Sequence, residues 1–260
     1  MKFTIITPTY NSATTLKQTM LSVAEQKLPP FEYIIMDGAS KDETLEIAKK
    51  YGATHVISEP DKGIADAFNK GIKIAQGDWI GIINSDDWYA EKTLELVVQA
   101  IEQNPDADII HGHVQYWQDN KPTEVFIPRQ DKLIKEMTIN HPSVFVKKAV
   151  YERLGTFDKS YKYAMDYELL LRFWQAGCKF VALDTVIANM RYGGASDRYW
   201  YKAYIESAKA KKAHIGNPIN ANLYCMWQII RGGIRRFLEK IGLQGMISFF
   251  RKYFSIMRKE

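Results

Sequence analysis

The chain has 260 residues with a net charge of +5, 46% of them hydrophobic and 25% charged. That length allows one large domain or two intimate ones around a substantial core, and the composition excludes a disordered or fibrous chain. No run is long and apolar enough to span a bilayer, and the two cysteines, Cys178 and Cys225, give neither a disulfide framework nor a metal spacing.

The N-terminus lacks the apolar core and cleavage site of a signal peptide, so a cytosolic location is expected. The first strand pattern is Lys2 to Thr7, closed by Pro8. A helix pattern follows from Ser12 to Gln26, with Asn11 or Ser12 as its cap. Tyr33 to Met36 is a buried strand stopped by Asp37-Gly38. Asp42 caps a helix to about Tyr51, which Gly52 ends. His55 to Ile57 reads as a strand, Ile64 to Ala75 as a helix, Trp79 to Ile83 as a strand and Glu91 to Gln103 as a helix. Such alternation implies βαβ units and a mostly parallel, Rossmann-like α/β sheet flanked by helices.

After Asp108 the rhythm changes. Ile109 to Trp117 and Thr123 to Ile127 read as strands around a turn at Asp119-Asn120-Lys121-Pro122. Helix patterns cover Tyr167 to Gln175 and Arg198 to Ala213, with a strand at Lys179 to Val186 between them. The second half reads as an extension of one sheet, with residues 1–108 as one half and 109–221 as the other.

Residues 222–260 form a basic amphipathic tail. Apolar residues at helical spacing include Trp227, Ile230, Ile234, Phe237, Phe250 and Phe254. Gly232-Gly233, Gly242 and Gly245 are expected to break it into C-terminal helices. Eight Lys and Arg stand there against Glu239 and Glu260, so the tail carries +6 and the rest sums to −1. Nucleic-acid binding by the body therefore has no electrostatic support. The tail's stripe suits either core packing or a membrane surface.

The chemistry concentrates after the strands. The run from Gly77 to Ile83 ends in Asn84-Ser85-Asp86-Asp87. Adjacent carboxylates at a buried strand's tip repel unless a cation lies beside them, and hard oxygen ligands suit Mg²⁺ or Mn²⁺. In a parallel sheet the tips at Thr7-Pro8-Thr9-Tyr10-Asn11, at Asp37 to Thr44, at Glu59 to Gly63 and at Asn84 to Asp87 share one edge, where ligands of open α/β sheets bind. Helix capping is the plainer reading of Asp42, Asp86-Asp87 and Asp166, and a turn that of Asp37.

In order and spacing these segments resemble the family 2 glycosyltransferases of GT-A fold, over about Lys2 to Ser196. Thr7 to Asn11 is similar to the family's Pro-x-Tyr-Asn element. Asp37 to Thr44 is similar to its Asp-Gly-Ser-x-Asp-x-Thr element, with Ala39 added before Ser40. The resemblance implies that Thr7, Pro8, Thr9 and Tyr10 border the nucleoside and that Asp37 bonds the base, leaning towards uridine. It sets Lys62, Gly63 and Asp66 near the ribose and diphosphate. The metal-binding Asp-x-Asp falls on Asn84-Ser85-Asp86, a departure because Asn84 brings no charge; Asp86, with Asp87 beside it, is then the expected ligand.

Met165 to Phe173 resembles the family's acceptor-side segment, with Asp166 as general base and Glu168 on the acceptor side. His141 is either an acceptor contact or a structural histidine. Arg191, Gly193, Gly194 and Ser196 resemble a loop that closes on the diphosphate.

The expected function is an inverting transfer of sugar from a nucleotide-diphosphate sugar, a UDP-sugar by the Asp37 segment, to an acceptor hydroxyl, with Mn²⁺ or Mg²⁺. A lipid-linked saccharide at the inner face of the cell membrane, as in bacterial surface polysaccharide synthesis, is the expected acceptor. Two alternatives are a catalytically inactive nucleotide-binding membrane scaffold, favoured only by Asn84, and a sugar-1-phosphate nucleotidyltransferase, which needs a glycine-rich basic loop that Thr7 to Asn11 lacks.

Overall fold

The computed structural model describes residues 1–193 and 198–241. Strands β1 (Phe3–Thr9), β2 (Glu32–Asp37), β3 (His55–Ser58) and β4 (Trp79–Ile82) lie in the order β3-β2-β1-β4, all parallel. Ile5, Ile6, Ile34, Ile35, Ile80 and Ile82 are almost wholly buried, as strands covered on both faces require. Successive side chains point to opposite faces, so Ile6 and Ile34 join one core while Ile5 and Ile35 join the other.

Four helices supply the covers: α1 (Leu16–Ala24), α2 (Thr44–Lys50), α3 (Ile64–Ile74) and α4 (Thr93–Gln103). Leu16, Met20 and Val23 of α1 and Leu94, Val97 and Ile101 of α4 close one face. Phe68 and Ile72 of α3 close the other. The three-and-four spacing of these residues is what makes each segment an amphipathic helix.

The same sheet continues through β5 (Trp88–Tyr89), β6 (Ile109–Gln118), β7 (Lys121–Phe126), β8 (Phe145–Lys147) and β9 (Phe180–Arg191). Its full order is β3-β2-β1-β4-β8-β6-β9-β5, with β7 paired to β6. Here β8 runs antiparallel to both neighbours, β9 runs parallel to β6, and β5 pairs antiparallel with β9. The parallel pattern thus stops at β4. Strand β8 has only three residues and β5 only two, too short for their periodicity to be legible in the sequence. Helix α5 (Lys148–Leu154) was likewise not anticipated.

Three helices complete the described chain: α6 (Met165–Gln175), α7 (Trp200–His214) and α8 (Pro218–Lys240). The expected break at Gly232-Gly233 does not occur, and α8 runs through both glycines from a start before residue 222. Gly232 is a point of close approach: a Cβ there would lie 2.8 Å from the Trp200 ring and 3.2 Å from the Tyr204 ring. Packing on α7 outweighs the ~1 kcal/mol that glycine costs inside a helix. Glu136 ties α8 to the body, accepting from Tyr224 Oη at 2.7 Å and Arg231 Nη2 at 2.6 Å. The Lys211 ammonium lies 4.1 Å from the Tyr224 ring centre, and burial pulls its pKa down to about 8. Gly242 and Gly245 lie outside the described residues.

Gly232→Val is expected to lower Tm by about 4 to 8 °C in a thermal melt, from ~2 kcal/mol of overpacking against Trp200. A variant that melts with the wild type would show that α8 does not need this approach.

Candidate active site

Parallel register brings Thr9, Asp37 and Ser58 into one row at the carboxyl edge of the sheet. The Asp37 carboxylate binds this row together. Its Oδ1 accepts from Thr9 Oγ1 at 3.0 Å and Ser40 Oγ at 2.5 Å; its Oδ2 accepts from the Ser40 amide at 3.0 Å and Ser58 Oγ at 2.6 Å. Burial works to raise its pKa, but these four bonds prevail and hold it below the usual carboxylate value. Asp37 is only 2% exposed. Its four donors tie the loop after β2 to the tips of β1 and β3.

Thr7, Pro8 and Thr9 are also buried; the Thr7 hydroxyl meets Tyr33 Oη at 3.1 Å. They shape the cleft from below, whereas Tyr10, 62% exposed, stands at its mouth. A Cβ on Gly38 would lie 2.6 Å from Asp61 Oδ2 and 3.4 Å from Tyr10 Cδ2. Tyr10, Gly38 and Asp61 therefore enclose one narrow space. Asp61 was not singled out from the sequence, although Pro60-Asp61 follows directly on β3. Gly38→Ala is expected to displace Asp61 or Tyr10 and weaken nucleotide binding about tenfold by titration calorimetry, ~1.4 kcal/mol. Unchanged affinity would place the nucleoside elsewhere.

Gly63 has φ 110°, a left-handed conformation suited to glycine, as the chain enters α3. Lys62 is exposed, and its amide donates to Asp66 Oδ2 at 3.1 Å. Asp66 also meets Lys159 Nζ at 3.2 Å and Lys70 Nζ at 3.7 Å. The Lys62 amide leads these partners in lowering its pKa. Asp66 thus secures the start of α3, leaving Lys62 to face solvent over the cleft.

At the tip of β4 the chain turns, with the Asp87 amide donating to the Asn84 carbonyl at 3.1 Å. Ser85 Oγ lies 2.8 Å from Ser12 Oγ and ties this tip to the loop after β1. Asp86 is exposed and Asp87 is buried. Asp87 Oδ1 accepts the Arg191 amide at 3.2 Å and its Oδ2 accepts Asn84 Nδ2 at 3.3 Å. The two carboxyls are raised in pKa by desolvation, and Asp87 further by the charge of Asp86. Arg191 opposes this; its guanidinium donates to the Asp86 carbonyl and Gln18 Oε1 and lies 4.6 Å from the Trp88 ring centre.

The residues present fit a divalent cation at Asp86. The donor set is oxygen, and Asn84 Oδ1 is buried with no hydrogen-bond partner among the described residues. No group of three or more His, Cys, Asp or Glu suited to a metal exists among the described residues. A cation here would take one or two ligands from the chain and the rest from phosphate and water, as Mg²⁺ commonly does. Asp87 is engaged by Asn84 and the Arg191 amide, with one bond to each of its oxygens.

The second centre lies where α6 begins. Asp166 is partly exposed, but its Oδ1 is enclosed and has no partner among the described residues. Burial pushes its pKa up, and nearby His141 opposes the shift. His141 is buried, stacks on Phe68 at 5.4 Å and has its pKa lowered by desolvation, with Asp166 opposing that shift. Glu206 of α7, also missed in the sequence, holds this corner. Its Oε2 accepts the amides of Lys162, Tyr163 and Ala164 at 2.9, 2.7 and 2.9 Å. Three orphan amides before a helix thus share one carboxylate from a distant segment.

Glu168, expected on the acceptor side, is engaged by the chain's own donors. It is 3% exposed and paired with Arg172 Nε at 2.9 Å and His214 Nε2 at 2.8 Å. Arg172 in turn donates to the carbonyls of Leu154, Gly155 and Thr156. Gly193, exposed with φ 105°, follows Arg191 at the end of β9; Gly194 and Ser196 lie outside the described residues.

The sequence model of the family "Glycosyl transferase family 2" matches residues 4–165. The chain belongs to glycosyl transferase family 2. The match spans the donor-side tips and ends one residue before Asp166. A PGL/p-HBAD biosynthesis glycosyltransferase of Mycobacterium tuberculosis is 28% identical over 212 residues, covering 78% of this chain and 82% of that protein. Among solved structures, S. aureus TarS in complex with UDP-GlcNAc aligns with a TM-score of 0.68 at 19% identity, covering 88% of this chain and 72% of that one. The mannosyltransferase PcManGT from Pyrobaculum calidifontis, in complex with GDP-Man and Mn²⁺, aligns at 0.68 and 16% identity, covering 98% and 84%. The fold of this family 2 glycosyltransferase is the GT-A α/β arrangement.

Proposed function

We propose that this glycosyltransferase transfers a sugar from a UDP-sugar to the hydroxyl of a lipid-linked saccharide, with inversion at the anomeric carbon. The observation that carries the reading is Asp166: a carboxylate raised in pKa by burial, with an unpartnered oxygen, at the start of a helix fixed by Glu206. A sugar hydroxyl is a poor nucleophile, and a base poised nearer neutrality takes its proton as it attacks. The new bond joins the acceptor oxygen to the anomeric carbon. The bond from that carbon to the diphosphate breaks, and its electron pair leaves with the diphosphate.

Asp86 and Asn84 would hold the divalent cation, Mn²⁺ or Mg²⁺, which when bound would supply positive charge to the leaving diphosphate. Arg191 adds a fixed positive charge beside Asp86, and Lys62 faces the same cleft. Tyr10, Gly38 and Asp61 receive the nucleoside. PcManGT holds GDP-Man and TarS holds UDP-GlcNAc, so the choice of uridine rests on the Asp37 segment. Residues 1–108 serve the donor and 109–221 the acceptor. The basic stretch 222–260 holds the enzyme at the inner face of a bacterial cell membrane, where surface polysaccharide is assembled. Among the described residues no helix is long and apolar enough to cross a membrane.

A thermal-shift screen against UDP, GDP, dTDP and CDP, each with and without Mn²⁺, tests the donor. The largest rise is expected with UDP and Mn²⁺. No shift with any nucleotide would overturn the reading.

A further inference from the structure

Helix α8 packs on the body through one face and leaves another bare. Ala221, Cys225 and Gln228 are buried, while Ile219, Leu223, Met226, Ile230, Phe237 and Ile241 are between 48% and 70% exposed, with Ile234 among them at 44%. At about 100° per residue these seven fall within an arc of about 80°. The steps from Ile219 to Ile230 repeat from Ile230 to Ile241, an 11-residue period. That period drifts only about 20° per repeat on an α-helix, so the stripe runs nearly parallel to the axis. That period excludes a left-handed coiled coil, which needs a seven-residue repeat, and leaves a right-handed helix pairing or a flat surface.

Beside it, a groove of about 300 Å³ between α7 and α8 is lined by Ile205, Ala208, Ile229 and Ile230 together with the polar Lys212 and Asn222, and extends this face. Charge selects the occupant. Within α8, Arg231, Arg235, Arg236 and Lys240 stand against Glu239, a net +3, so pairing with a second copy of α8 sets like charges against each other. Residues 242–260, with Arg251, Lys252, Arg258 and Lys259 against Glu260, are no better a match. An anionic surface with an apolar layer beneath it satisfies both the stripe and the charge.

We propose that the exposed α8 face, from Ile219 to Ile241, lies in the interface of a bilayer containing anionic phospholipid. The proposal deepens the membrane contact stated above and rests on it, but it is independent of the donor. It assigns the anchoring to a helix already packed on the body, so the body's orientation on the membrane is set by Glu136 and its partners.

The test is co-sedimentation of the full chain with sucrose-loaded vesicles of phosphatidylcholine containing phosphatidylglycerol, against vesicles of phosphatidylcholine alone. Wild type is expected to sediment with the anionic vesicles only, and less as salt is raised. Ile230→Glu/Phe237→Glu and, at the other end, Ile219→Glu/Leu223→Glu are each expected to cut partitioning at least about tenfold. Both pairs are solvent-exposed, so the rise in Tm with UDP and Mn²⁺ serves as the control for an intact donor site. Loss of vesicle binding with that rise retained supports the proposal. Wild type that ignores anionic vesicles, or variants that bind as wild type does, overturn it and leave the donor reading standing. A dimer in light scattering that the variants dissolve, with vesicle binding unchanged, would assign the face to a second copy.

Discussion

Asp166→Asn is expected to lower kcat about 10²- to 10⁴-fold, the range a positioned general base contributes. The amide matches the carboxylate in shape, so Glu206 and the amides it holds stay in place and the fold is unaffected. Nucleotide binding, read as the rise in Tm with UDP and Mn²⁺, is expected to be unchanged. The pH profile adds a second readout. A base works only when ionised, and burial raises the pKa of Asp166. Activity therefore falls on the acid side at a pH above that of an ordinary carboxylate. A variant that keeps full turnover would take the base from Asp166, and one with no catalysed reaction to lose would favour the inactive scaffold.

Asp86→Asn is expected to act in opposite directions on stability and on donor binding. In the protein alone, Asp86 and Asp87 are raised in pKa by desolvation, and ionised Asp86 pushes Asp87 higher. An acid whose folded pKa is raised binds its proton more tightly when folded. Stability therefore declines as pH rises from the unfolded pKa through the folded one. Removing the Asp86 charge relieves that penalty, and the metal-free variant should melt at or above the wild type at neutral pH. The Mn²⁺-dependent part of the UDP shift should disappear, with turnover lowered on the order of 10²-fold or more. If the Mn²⁺ effect survives, the cation is held elsewhere.

The parallel half was legible because β1, β2 and β4 are apolar runs closed by turn residues and alternate with amphipathic helices, which aligns their tips. The acceptor half was less so. Strands β5 and β8 are set by pairing with β9, β4 and β6, a tertiary effect that two or three residues cannot announce. Gly232 shows the same limit: in sequence it is a helix breaker, and its packing against Trp200 is visible only once α7 and α8 meet.

Within the candidate site, residue type does not separate a side chain free to face a ligand from one held by the chain itself. Asp37, Asp66, Asp87 and Glu168 all carry charge in the expected places, yet each is engaged by the chain's own donors. Glu206 was invisible because its three partners lie about forty residues away, on amides that any sequence supplies.

The pairing of β5 with β9, and of β4 with β8, means that the chain passes from one half to the other inside a shared sheet. Residues 1–108 cut free would lose both partners and present β4 as a bare edge, open to pairing with other chains. Residues 1–108 are accordingly no portable module, and they are not available for grafting or shuffling as a stand-alone unit.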